Sequence, residues 1–99
     1  INLMIPQQNQ EEFYSRFLQK LESSQKWPGK FIFKFILKEN SKKIIQLKKI
    51  FTNKSAIYSK KNSSKKRFQS LSIMVNMKSA EEVVEFYKKA SKLDGVICL

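Results

Sequence analysis

In the run Lys30-Phe31-Ile32-Phe33-Lys34-Phe35-Ile36-Leu37-Lys38, side-chain character repeats with a period of two. Phe31, Phe33, Phe35 and Leu37 share one face, and Lys30, Ile32, Lys34, Ile36 and Lys38 share the other. Successive strand residues point to opposite faces, so this alternation predicts a β-strand with its aromatic face turned into a core. At about 3.3 Å per residue, Lys30, Lys34 and Lys38 stand about 13 Å apart along the other face.

Upstream, Trp27-Pro28-Gly29 breaks the chain, because proline disfavours helix in the residue before it. The break ends a predicted helix. Asn9 with Glu12 resembles a capping box, and Phe13, Phe17 and Leu21 recur every four residues beside Tyr14 and Leu18. That stripe ends near Ser24. Downstream, residues 39–41 form a polar turn with Asn40 or Ser41 as N-cap. Ile44, Leu47, Ile50 and Phe51 form the next helical stripe. Residues 55–61 predict a weaker strand around Ala56, Ile57 and Tyr58, and Lys60 to Lys66 a polar hairpin tip. From Arg67 to Met77 a second clear strand places Leu71, Ile73 and Val75 on one face. Ser70, Ser72, Met74 and Asn76 lie on the other, with Phe68 on their side. Ser79-Ala80-Glu81-Glu82 is a capping box for a helix whose stripe is Val83, Tyr87 and Ala90. Asp94-Gly95 is expected to end that helix, Gly95 supplying a left-handed cap. Val96 to Leu99 reads as a short last strand.

The predicted order is helix, then strand-helix-strand-strand-helix-strand. This is an α+β pattern: a ferredoxin-like β-α-β-β-α-β two-layer sandwich with an extra N-terminal helix. Residues 1–8 are expected to be a loose tail, and residues 9–99 a single ferredoxin-like domain that includes the first helix. One face of the sheet is left open, or is covered in part by the N-terminal helix or a partner.

The chain has 99 residues, of which 41% are hydrophobic and 28% charged, an ordinary balance for one folded domain. Net charge is +12, and the block from Lys30 to Arg67 carries all of it, with 13 basic residues against Glu39. Such asymmetry suits an anionic partner. The excess of 18 Lys over Arg16 and Arg67 favours a solvated lysine surface, since arginine is the better residue for bidentate phosphate and base contacts. No apolar stretch approaches the roughly 20 residues of a membrane span, so no membrane is expected. Residues 1–6 lack the basic and long apolar regions of a signal peptide. With one cysteine and no such signal, the expected location is cytoplasmic.

Candidate chemistry is sparse. The chain has no histidine, which removes the commonest general base and the imidazole metal ligands. Ser63, Ser64 and Ser70 therefore lack a base and read as polar hairpin residues. Glu11-Glu12 and Glu81-Glu82 fall in the first turns of predicted helices, where negative charge suits the helix dipole. Cys98 lies in an apolar strand and reads as a small buried hydrophobe. Trp27 reads as a pin holding the first helix to the sheet rather than as a stacking platform. No catalytic residues, metal site or cofactor is expected.

The run Glu12-Phe13-Tyr14, Trp27-Pro28 and Phe33-Lys34-Phe35-Ile36 resembles the start of the YbeD-like bacterial proteins, a family of unknown function. So do Ser63-Ser64 leading to Phe68-Gln69-Ser70, Met77-Lys78-Ser79 before Val83-Val84-Glu85-Phe86-Tyr87, and the ending Leu93-Asp94-Gly95-Val96-Ile97-Cys98-Leu99. The resemblance spans about residues 12–99. It implies a ferredoxin-like fold similar in shape to ACT-type regulatory domains, and assigns no catalytic residues. The chain departs from that family at Lys65-Lys66-Arg67, where a glycine is usual.

Two functions follow as expectations. The first is a small non-catalytic regulatory or binding module acting through a protein partner or small effector, with homo-oligomerisation as one form of it. The alternative is sequence-tolerant nucleic-acid binding through the basic sheet face and hairpin. The candidate anion- or nucleic-acid-binding residues are Lys30, Lys34, Lys38, Lys60, Lys61, Lys65, Lys66, Arg67 and Phe68.

Overall fold

A computed structural model describes residues 10–62 and 67–98. The elements run α1 (Gln10–Ser24), β1 (Gly29–Lys38), α2 (Lys43–Ile50), a 3-10 turn (Thr52–Lys54), β2 (Ile57–Asn62), β3 (Phe68–Met77), α3 (Ala80–Ser91) and β4 (Ile97–Cys98). The strands form one antiparallel sheet in the order β2-β3-β1-β4. Among the described residues the fold is thus α+β, with three α-helices and a four-stranded antiparallel sheet. The expected loose tail, Asn9 as a cap, the tip at residues 63–66 and Leu99 lie outside the described residues.

The aromatic face of β1 enters the core as the alternation requires. Phe33, Phe35 and Leu37 are fully buried, opposite Ile73, Leu71 and Gln69 of β3. Gln69 is a buried amide within this apolar layer, and its Nε2 donates to the Lys38 carbonyl at 3.2 Å. Leu47 arrives from α2 and Phe51 from its C-cap, and Val83, Phe86, Tyr87 and Ala90 come from α3. The rings interlock: Phe33 lies 5.0 Å from Phe51 and 5.1 Å from Tyr87, and Phe51 lies 5.1 Å from Phe86. Contacts of this kind add about 0.5–1.5 kcal/mol each beyond simple burial.

α1 joins the same core, and among the described residues no helix covers the other sheet face. Its buried Phe17 meets Tyr87 edge-on at 4.9 Å. Trp27 packs on Phe31, and its Nε1 donates to the Leu21 carbonyl at 3.0 Å. The indole thereby closes the end of α1 onto β1. The Trp27–Pro28 peptide is cis.

Several boundaries differ from the sequence reading. Neither Asn40 nor Ser41 is the N-cap of α2; that position is Lys42, which makes no side-chain cap bond. Asn40 instead takes a left-handed turn conformation, φ 63°, which asparagine tolerates well. The Ser41 Oγ accepts from the Lys43 N–H at 3.2 Å. α3 ends at Ser91, with Lys92 as C-cap in right-handed helical geometry. Gly95, φ +77°, therefore serves the following turn rather than capping the helix. β2 starts and ends later than expected, so Lys60 and Lys61 are strand residues and not part of a hairpin tip.

Candidate functional site

Strand pairing places side chains in rows across the open sheet face, because directly opposed residues share a face. Ile57, Met74 and Ile32 form one row across β2, β3 and β1. Ser59, Ser72 and Lys34 form the next. Lys61, Ser70, Ile36 and Ile97 form a third, across all four strands. Asn76 with Lys30, and Phe68 with Lys38, close the two ends.

This face is more apolar than an ordinary solvated one. Ile32 is 51% exposed, Ile57 63%, Phe68 45% and Ile97 43%. Among the described residues, the remaining large exposed hydrophobic is Ile45 on α2. Isolated exposed apolar residues are normal, but four of them on one sheet face, joined there by the half-buried Met74 and Ile36, mark it as a candidate docking surface.

The structure divides the predicted basic set. Lys30, Lys34, Lys38 and Lys61 lie exposed on the open face, with Phe68 beside Lys38. Lys60 does not join them. It pairs with Leu71 and so belongs to the helix-covered side, where it lines a shallow depression with Glu39, Ser41, Asn62 and Gln69. One residue of strand register separates it from its neighbour Lys61. Arg67 precedes β3, and its carbonyl accepts from the Glu39 N–H at 2.9 Å. Lys65 and Lys66 lie outside the described residues.

Sequence reading missed Ile57 and Ile97 as members of this face. Alternation within β2 gave a parity for Ile57 but no reference for which parity was inward. Pairing with Met74 supplies that reference.

At one end of the open face lies a cleft of about 420 Å³. It is lined by Ile36, Lys38 and Phe68 from the sheet and by Leu93, Asp94 and Val96 from the α3–β4 connection. Its volume is in the range that holds small ligands, about 300–1,000 Å³.

The acidic and nucleophilic groups have structural settings. The Glu82 Oε1 accepts from Lys54 Nζ at 2.8 Å and from the Lys78 N–H at 2.9 Å. Its own N–H donates to the Ser79 Oγ at 3.2 Å. The side-chain half of the expected cap is thus present, while the carboxylate reaches Lys78 rather than Ser79. Desolvation raises the Glu82 pKa, but the bonds from Lys54 and Lys78 outweigh it and leave the net value lowered. Glu12 pairs with Arg16 one turn along α1. Burial pushes the Cys98 thiol up to about 11, and burial together with nearby Cys98 pushes the Tyr87 hydroxyl up to about 12.

Among the described residues, no group of three or more His, Cys, Asp or Glu converges as metal ligands. No described helix is long and apolar enough to cross a membrane.

No curated protein and no solved structure matches the chain. A family model, described as a protein of unknown function, DUF493, matches residues 22–99. That span takes in the end of α1, every described strand and the two helices between them, and the chain belongs to the DUF493 family.

Proposed function

We propose that the chain is a non-catalytic binding module, regulatory in role, that acts through a protein partner docked on the open sheet face. The observation that carries this reading is that four of the five large exposed hydrophobics among the described residues, Ile32, Ile57, Phe68 and Ile97, lie on that face. An apolar sheet face ordinarily needs a covering layer, and the three helices all serve the opposite side. The strand order β2-β3-β1-β4, with α2 and α3 packed on one face, supports a ferredoxin-like fold. The motifs shared with YbeD-like bacterial proteins support the finer family reading. A free, buried Cys98 is consistent with a reducing, cytoplasmic setting. A small effector, the other form of this reading, would occupy the cleft between Phe68 and Asp94.

Sequence-tolerant nucleic-acid binding is the second reading. Lys30, Lys34, Lys38 and Lys61 on one face, with Phe68 among them, support it. The row Ile57–Met74–Ile32 weighs against it, because phosphates gain nothing from aliphatic contact.

Photo-crosslinking separates these readings. A benzophenone side chain is placed at position 32 or 57 on the open face, or at exposed position 85 on α3. The protein-partner reading expects discrete, nuclease-resistant products from 32 and 57 and none from 85. Nuclease-sensitive products favour nucleic acid. Equal yields from all three positions, or none from 32 and 57, overturn the open face as a docking surface.

A further inference from the structure

We propose that the open face receives an acidic amphipathic helix of a partner protein; this rests on reading that face as a docking surface. The face carries two apolar bands. One is Ile57, Met74 and Ile32, and the other is Ile36 with Ile97. Between them runs the polar row of Ser59, Ser72 and Lys34. Ile32 and Ile36 are four strand residues apart, so the bands lie about 13 Å from each other. A helix with its side chains is about 10–12 Å across. A single helix lying over the central row is slightly narrower than this spacing, so it fits between the bands, and Ile32 and Ile36 can close against its two sides.

Charge selects the partner's sign. Lys30, Lys34, Lys38 and Lys61 are exposed on this face. The described strands contain no Asp or Glu. Covering the apolar bands draws water away from these ammonium groups, which is unfavourable unless carboxylates replace it. A second copy docked face to face brings four more lysines and no carboxylate from its strands. A nucleic acid satisfies the lysines but leaves Ile32, Met74 and Ile57 against a charged backbone. An amphipathic helix with glutamates bordering its apolar stripe meets both requirements.

The test titrates the full chain, ¹⁵N-labelled, with three probes. They are a helical peptide with a leucine stripe bordered by glutamates, the same peptide with lysines for the glutamates, and a single-stranded oligonucleotide. Sedimentation of the chain alone reads self-association. The acidic peptide is expected to perturb the amides of Ile32, Lys34, Ile36, Ser72 and Met74. It should bind at least about tenfold more tightly than the basic peptide. The double variant Lys34→Glu/Lys61→Glu should lose about tenfold or more in affinity while keeping a folded spectrum. Ile32→Ser should weaken binding of the acidic peptide without altering its preference over the basic one. Equal binding of the two peptides overturns the acidic partner but leaves the docking face standing. Tighter binding of the oligonucleotide, or a dimer that Lys34→Glu strengthens, also overturns it. No perturbation of the open face by any probe overturns both the acidic partner and the docking surface.

Discussion

Cys98 stands opposite Phe35 at 1% exposure, and its neutral thiol is the form that burial favours. Thiolates, not thiols, react with disulfide reagents. With the thiol pKa raised to about 11, the thiolate fraction at pH 8 falls about a hundredfold below that of an unfolded cysteine. Labelling by an aromatic disulfide should therefore be at least that much slower in the native protein than in denaturant. Equal rates would mean that β4 is open. Gly29 is constrained by space: a Cβ there would lie 2.7 Å from Gln25 Nε2 and 2.8 Å from the Lys26 carbonyl oxygen. The amide of Gln25 can swing aside, but the backbone oxygen cannot. Gly29→Ala should cost about 1–3 kcal/mol in a denaturant titration, the usual range for forced overpacking. Glu82 has a pH signature. Its lowered folded-state pKa means that its stabilisation is fully present above the ordinary carboxylate value of 4.5 and is lost as pH falls through the lower folded value. Glu82→Gln should cost about 1–2 kcal/mol at pH 7, and the gap to the unaltered protein should shrink steadily in acid below pH 4.5. A gap that stays constant down to pH 2 would assign the effect to packing rather than to ionisation.

At the scale of elements, α1 meets the rest of the core through side chains, and Trp27 is its clasp. The indole bond to Leu21 and the contact with Phe31 hold the end of the helix against the start of β1. Trp27→Phe keeps most of the apolar contact and deletes the N–H donor. It should cost about 1 kcal/mol, the net worth of one part-buried hydrogen bond. Hydrogen exchange should speed up in α1 while β1 and β3 keep their protection; matching acceleration in β3 would show that α1 and the sheet open as one unit. The order and type of the elements were legible in the sequence, because β1, β3 and α3 have strong periodicity and their neighbours have clear breakers. Boundaries were less legible. Asn40, Ser41 and Lys42 all suit a turn, and the choice of Lys42 as cap depends on where β1 releases the chain. Asp94-Gly95 looked like a helix end because glycine is the usual left-handed residue, yet α3 stops at Ser91 and Gly95 turns the chain into β4.

For the molecule as a whole, the two sheet faces divide the labour. One face holds the interlocked aromatic core, and the other holds exposed isoleucines among lysines that no described element covers. Substituting the open face should therefore leave folding intact. Ile32→Ser with Ile57→Ser removes two exposed side chains, 51% and 63% accessible, and should shift stability by no more than about 1 kcal/mol. Phe33→Ala on the opposite face should cost about 3–5 kcal/mol, since its ring is fully enclosed. Both are read from the same urea titration. Similar losses for the two variants would mean that the open face is covered in solution and contributes to the fold.

Periodicity in the sequence by itself determined that β1 carries an aromatic face and a lysine face and that helices flank it, and composition shows that these 99 residues hold no histidine. Those properties follow from side-chain identity and backbone geometry over a few residues. Tertiary structure alone decided that α1 sits beside α3 rather than on the other sheet face. It also decided that Lys61 joins Lys34 while Lys60 turns away, and that Ile57, Met74 and Ile32 meet in one row. These depend on register between strands far apart in the chain. A shift of one residue reverses every side chain in a strand, and no local pattern in β2 specifies which residue of β3 it will face.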